Sequence, residues 1–198
     1  MGTVIVTAPT VEPVSLAEMR QDLKFEAVDA GEDTLISACI TAARETIEAI
    51  TGRKLISQQW KAVFDAYPAG SELKLPFAPV ITVDEVKTTD RAGAAAVFAS
   101  SNYIVDAVSV PPRVVLKSTS TWPAPAAGLQ DANAVEVKFT CGYGTAATSV
   151  PGPLKQAVMR LAAHLYVNRE PVAPGSMAEM PYGIIGLVGT YRVYQGGA

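Results

Sequence analysis

Two stretches with helical periodicity lie far apart in the chain, and between them runs a Pro- and Val-rich segment that reads as short strands and turns. The first is GEDTLISACITAARETIEAITGR and the second VPGPLKQAVMRLAAHLYVNRE. No helix-length crossover separates the strands between them, which disfavours a parallel β-α-β sheet and points to antiparallel pairing. The expected fold class is α+β: a bundle of three main helices with an inserted antiparallel β-sheet region.

The helices can be read from spacing and end signals. Leu35, Ile36, Cys39, Ile40, Ala43, Ile47 and Ile50 recur at three- and four-residue steps, with Ser37, Thr41, Arg44, Glu45 and Glu48 on the other, polar face. Glu32 and Asp33 stand where the free amides of a helix start favour negative charge, and Gly52 suits a left-handed end. A shorter helix precedes this one: Ser15 and Glu18 make a capping box, and Leu16, Met19, Leu23 and Phe25 form an apolar edge that needs a neighbour. Pro153 in a first turn costs no hydrogen bond and opens the third helix, with Leu154, Val158, Leu161 and Leu165 on one face and an end expected near Asn168, before Pro171.

From Leu55 to Cys141 the period changes to two. Strands are expected at Ile56–Phe64, Leu73–Leu75, Ile81–Thr88, Tyr103–Asp106, Arg113–Leu116 and Val135–Thr140, separated by YPAGS, PFAP, DRAG, VPPR and WPAPAAG. The alternation of Val135, Val137 and Phe139 with Glu136 and Lys138 puts one face in a core and one in water. The expected organisation is therefore a helical part over 1–54, a β insertion over 55–149, the third helix over 150–172 and a tail over 173–198.

At 198 residues, 49% hydrophobic and 18% charged, the chain can bury a core without help from a metal. No apolar run approaches the roughly 20 residues that cross a bilayer, and MGTVIVTAP lacks a basic flank, so synthesis in the cytoplasm and no membrane partner are expected. Cys39 on the helix stripe and Cys141 at a strand end read as reduced thiols. Charge is uneven: residues 1–52 hold nine acids and three bases, net minus six, and the remainder ten acids and thirteen bases, net plus three. Such asymmetry either orients subunits head to tail or reflects a solvated acidic helix.

Catalytic chemistry finds little support. His164 is the single histidine and reads as a packing or interface residue, no cysteine pair has zinc-ligand spacing, and no G-x-S-x-G elbow places a nucleophile. The Gly142–Gly144 GYG follows a strand, but TAATSVPGP separates it from the next helix, so it reads as a tight exit from the sheet and not a phosphate loop. Trp60 and Trp122 lack an accompanying basic stripe, and a pI near 5.2 argues against strong nucleic-acid affinity. The expectation is no enzyme activity, no cofactor and no metal.

In order, EPVSLAEMRQDLKF, DTLISACITAARETIEAITGRKLISQQWKAVFDAYP, LPFAPVITVDEV, VEVKFTCGYG and VPGPLKQAVMRLAAHLYVNRE resemble the head-tail connector proteins of tailed phages, the family that includes the HK97 adaptor and the phage phiE125 connector group. TGR before a Q-x-W strand, and a strand ending in GYG before a VP-started helix ending in NRE, carry the likeness across nearly the whole chain. The resemblance implies a virion neck protein: a homo-oligomeric ring, dodecameric in the particle, under the portal protein. It extends the DNA channel, lets genomic DNA pass without sequence-specific binding, and offers a platform to the next neck or tail-completion protein. A minor capsid or tail-completion protein is the alternative assignment, and a small hydrolase or ligand-binding module a third.

The C-terminal PVAPGSMAEMPYGIIGLVGTYRVYQGGA interrupts the third helix with Pro174, Gly175 and Pro181, then gathers Ile184, Ile185, Leu187, Val188, Tyr191, Val193 and Tyr194. That cluster is too apolar to stay in water, so it either folds back on its own subunit or docks on a partner. The resemblance favours docking. Ile184, Leu187 and Tyr191 are the expected anchors, on one face if the segment is helical, with Arg192 as a rim contact.

Overall fold

A computed structural model describes residues 1–24, 30–168 and 182–193. Two compact units divide them: residues 1–9, 57–143 and 193 belong to a β unit, and residues 10–24, 30–56, 144–168 and 182–192 to a helical unit. The architecture is α+β, with two antiparallel sheets and four helices among the described residues.

In the helical unit the elements are α1 (Leu16–Asp22), α2 (Ala30–Thr51), α3 (Gly152–Val167) and α4 (Tyr182–Val188). Local end signals set their limits. At α1 the Glu18 amide donates to Ser15 Oγ at 3.2 Å while the Ser15 amide donates to Glu18 Oε2 at 2.8 Å, so two otherwise free amides are satisfied reciprocally. The Lys155 ammonium of α3 donates to Glu18 Oε1 at 2.6 Å; this bond first, and the Ser15 amide second, lower the carboxyl from about 4.5 to about 2 and keep it ionised at neutral pH. α2 ends at Gly52, whose φ of 68° is a left-handed cap that returns its amide to Glu48 O at 2.9 Å. Pro153 lies in the first turn of α3, and Asn168 caps the other end with its amide on His164 O.

Packing follows the apolar stripes. Ile36, Cys39, Ile40, Ala43 and Ile47 of α2 and Leu154, Ala157, Val158, Leu161 and Ala162 of α3 are buried, and the two helices pack together. Tyr166, not Leu165, fills the core side of the last α3 turn, and its hydroxyl donates to the Glu32 carboxylate in the first turn of α2.

The polar face of α2 departs from expectation. Arg44 and Glu48 are buried, at 5% and 2% exposure. Glu12, from the segment before α1, accepts from Arg44 Nε at 2.8 Å and from Thr41 Oγ1 at 3.0 Å. Beyond the helix end, Lys54 Nζ donates to Glu48 Oε2 at 3.2 Å and the Leu55 amide to Glu48 Oε1 at 2.9 Å. Segments before and after the helix thus fold over its charged face, and every charge they cover has an opposite partner. Burial alone would lower the Arg44 pKa, but Glu48, then Glu12 and Glu45, outweigh it and the net shift is upward.

In the β unit, β1 (Gly2–Thr7), β2 (Gln58–Phe64), β4 (Val80–Thr89), β5 (Ala95–Val97) and β8 (Val135–Cys141) form a five-stranded sheet in the order β1-β2-β8-β4-β5. A second sheet has the order β3-β7-β6, from β3 (Glu72–Lys74), β7 (Arg113–Leu116) and β6 (Tyr103–Asp106). The single inserted sheet expected from the strand pattern is therefore two, and β1 and β5 are additions to the expected strands. Val135, Val137, Phe139 and Cys141 on central β8 are fully buried, and both sheets contribute to one core through Ala62, Val86, Leu73, Val114 and Tyr103. Trp60 packs edge-on to Phe77 with ring centroids 4.7 Å apart, and Trp122 stacks on Tyr67 at 4.6 Å, so both tryptophans are structural. Cys39 and Cys141 are free and buried.

At the β8 exit the Gly142 amide donates to Pro79 O at 2.9 Å. Gly144 has φ 157°, and a Cβ there would stand 2.6 Å from Ser149 Oγ, so this position admits no side chain without rearrangement.

Candidate assembly surfaces

Among the described residues no three of His, Cys, Asp and Glu come close enough to hold a metal ion. His164 shares its helix end with Asn168, whose Nδ2 lies 3.2 Å from His164 Nδ1 and donates to His164 O at 2.9 Å. An open cleft of about 590 Å³ in the helical unit is lined by Val11, Val14, Leu16 and Ile40 with Glu12 and Thr41, but the Glu12 carboxylate is already bonded to Arg44 and Thr41. No described helix is long and apolar enough to cross a membrane.

α4 packs on α3 and splits the expected tail cluster in two. Ile184 and Val188, four residues apart, are buried at 1% each, whereas Ile185 is 47% exposed and Leu187 and Tyr191 are half-buried. Tyr191, in a single 3-10 turn after α4, presents its carbonyl to Arg53 Nε at 2.6 Å, and Arg192 is exposed. Of the expected anchors, Ile184 thus packs within its own subunit; Tyr194 lies outside the described residues. The sequence contains the apolar cluster but cannot rank its members, because Ile184 and Ile185 are adjacent and chemically alike.

Two surfaces of the β unit escaped the sequence reading. Between β6 and β7, residues 107–112 form a loop held from its base. Asp106 Oδ1 accepts from the Val108 and Ser109 amides at 3.2 and 3.1 Å, and Oδ2 accepts from Ser109 Oγ at 2.6 Å and Arg113 Nε at 2.9 Å. Those bonds, the Ser109 hydroxyl first, hold the Asp106 carboxyl well below the usual range, and Val108 stands almost wholly in solvent above them. The base of this loop is thus fixed by its own hydrogen bonds, with an apolar side chain at its tip. On the five-stranded sheet, Lys61, Glu85, Lys87, Glu136 and Lys138 share one wet face, with Lys61 Nζ 3.0 Å from Glu136 Oε2. Its signs are mixed, which gives no field strong enough to hold a polyanion.

No protein-family model matches the chain, and no curated protein does. Solved structures do. A chain in the neck of the empty gene transfer agent (GTA) particle, computed with C6 symmetry, is 30% identical with a TM-score of 0.83, over 100% of this chain and 99% of that one. A chain in the virion of the native GTA particle gives 30% and 0.82 over the same shares. The neck of the native particle, computed with C12 symmetry, gives 30% and 0.76, again over 100% and 99%. Likeness of this extent in both sequence and fold leaves no part of the chain unaccounted for, and the protein belongs to the family of phage-like structural neck proteins found in the gene transfer agent particle.

Proposed function

We propose that the protein is the head-tail connector, or adaptor, of a phage-like particle: a ring under the portal that extends the DNA channel and receives the next neck or tail-completion protein. The full-length likeness to neck chains carries this reading. A native neck computed with C12 symmetry supports a dodecameric ring. The chemistry of the chain agrees with a structural part: several of its charged side chains sit in ion pairs or a helix cap, and the mixed-sign sheet face suits a surface past which DNA slides without being held.

Within that ring the C-terminal segment serves partner recognition. Ile184 and Val188 are buried where α4 packs on α3, which leaves Ile185, Leu187, Tyr191 and Arg192 to meet the portal. The test is capture of portal-bearing heads by purified protein. Wild type is expected to bind, and Ile185→Asp to weaken capture by about tenfold or more, the loss expected when an interface anchor is removed. Ile185 is exposed, so circular dichroism should show an unchanged fold. Equal capture by the variant removes the tail from the interface; failure of wild type to bind portal-bearing heads rejects the connector reading itself.

A further inference from the structure

The two outer strands of the five-stranded sheet carry no charged residue and no proline, although β1 has a register irregularity between Ile5 and Thr7 and β5 is only three residues long. β1 reads GTVIVT, has no charge and no proline, and is exposed at all six positions, with Val4, Ile5 and Val6 at 56%, 46% and 42%. One of its sides pairs with β2, from Gly2 opposite Val63 to Thr7 opposite Gln59; no described strand pairs with the other. β5, at the opposite end, is also uncharged and exposed at each position, with Val97 at 66%. Soluble proteins commonly place lysine or proline on such edges, because free amides and carbonyls beside apolar side chains recruit another strand. By contrast β3, at an edge of the second sheet, carries Glu72 and Lys74.

Strand direction identifies the recruit. All four pairings across the sheet are antiparallel, so β1 and β5 run the same way. A rotation about an axis along the strands would carry β5 of one copy beside β1 of the next as a parallel pair, and each copy would use both edges. That is a heterologous contact, the kind that closes into a ring. A two-fold β1-to-β1 pair would cover β1 but leave β5 open and stop at a dimer. We propose that β1 of one copy pairs with β5 of its neighbour, so that the sheet continues from subunit to subunit. The inference rests on the ring assembly proposed above. With three residues against six, the pair fixes the register and direction of a subunit contact whose remaining area lies elsewhere.

A cysteine pair tests this directly. Val4→Cys and Ala96→Cys are placed in one chain whose own Cys39 and Cys141 are buried, and assembled particles are oxidised under native conditions. The expected result is a ladder of cross-linked copies that ends at a closed ring, absent from either single variant. In parallel, Val4→Lys with Val6→Lys, and separately Val97→Lys, should keep the wild-type unfolding midpoint, since these side chains are exposed, yet lose ring assembly by at least tenfold in concentration. Rings that form normally from the lysine variants, a ring without the cross-link, or a cross-link from β1 to a different neck protein would each overturn the pairing while leaving the connector reading intact. A wild-type chain that never enters the neck would overturn both.

Discussion

Ile40→Asp and Leu161→Asp are each expected to abolish folding. Ile40 is 2% exposed on α2 and Leu161 6% exposed on α3, the two helices that pack together in the helical unit. Truncating a buried Ile or Leu costs about 2–5 kcal/mol in lost burial and cavity. A carboxylate placed there without a partner adds the penalty of an unpaired buried charge, or of the proton it must take up. The sum reaches the whole stability of an ordinary domain, about 5–15 kcal/mol. Insoluble expression or the loss of a cooperative urea transition is the expected readout. Ala38→Asp, exposed on the same helix, should cost about 1 kcal/mol or less. Wild-type midpoints for both core variants would mean that the buried faces of α2 and α3 are misassigned.

Glu48→Ala should be the most damaging change among the charged residues, lowering the unfolding free energy by about 3–5 kcal/mol. Its carboxylate stands 3.4 Å from Arg44 Nη1 and 3.2 Å from Lys54 Nζ and accepts the Leu55 amide at 2.9 Å. Alanine would leave two cations, each less than a tenth exposed, with one anion fewer, and a buried amide without its acceptor. Glu48→Gln keeps an acceptor for Leu55 and is expected to cost less, which separates the hydrogen bond from the charge. Glu45→Ala removes an exposed carboxylate 3.3 Å from Arg44 Nη2 and should cost 0–1 kcal/mol, roughly the range of surface pairs. Urea titration of the three variants checks the ranking; a loss under about 1 kcal/mol for Glu48→Ala would show that water reaches this cluster.

What the sequence revealed and what it hid divide along the range of the interactions. Helix limits were legible because caps are local: Ser15 and Glu18 are three residues apart, and Gly52 directly follows Thr51. Strands β6 and β7 have the limits expected, Tyr103–Asp106 and Arg113–Leu116, since turn residues bracket them. Burial of Arg44 and Glu48 was not legible. Helical periodicity assigns charged positions to water, and it is Glu12, 32 positions before Arg44, with Lys54 that closes over them.

Other misses have the same origin. β5 consists of two alanines and a valine, a composition with little strand preference, and exists because Lys87, Thr88 and Thr89 of β4 pair with it. β1 is β-branched throughout its centre, yet lacks the polar alternation that marks a strand with one buried face, because neither face is buried. The tail's apolar composition was visible, but the choice between Ile184 and Ile185 as the buried member depends on where α3 lies.

In the proposed assembly this chain builds a ring at the neck. A reconstruction of the neck of a particle that contains it, computed without imposed symmetry, tests this most directly. The expected result is closed-ring density that fits both units of the chain, at the single portal vertex, between the portal and the next neck protein. Copies distributed over the shell or along the tail, with none at the portal vertex, would contradict it.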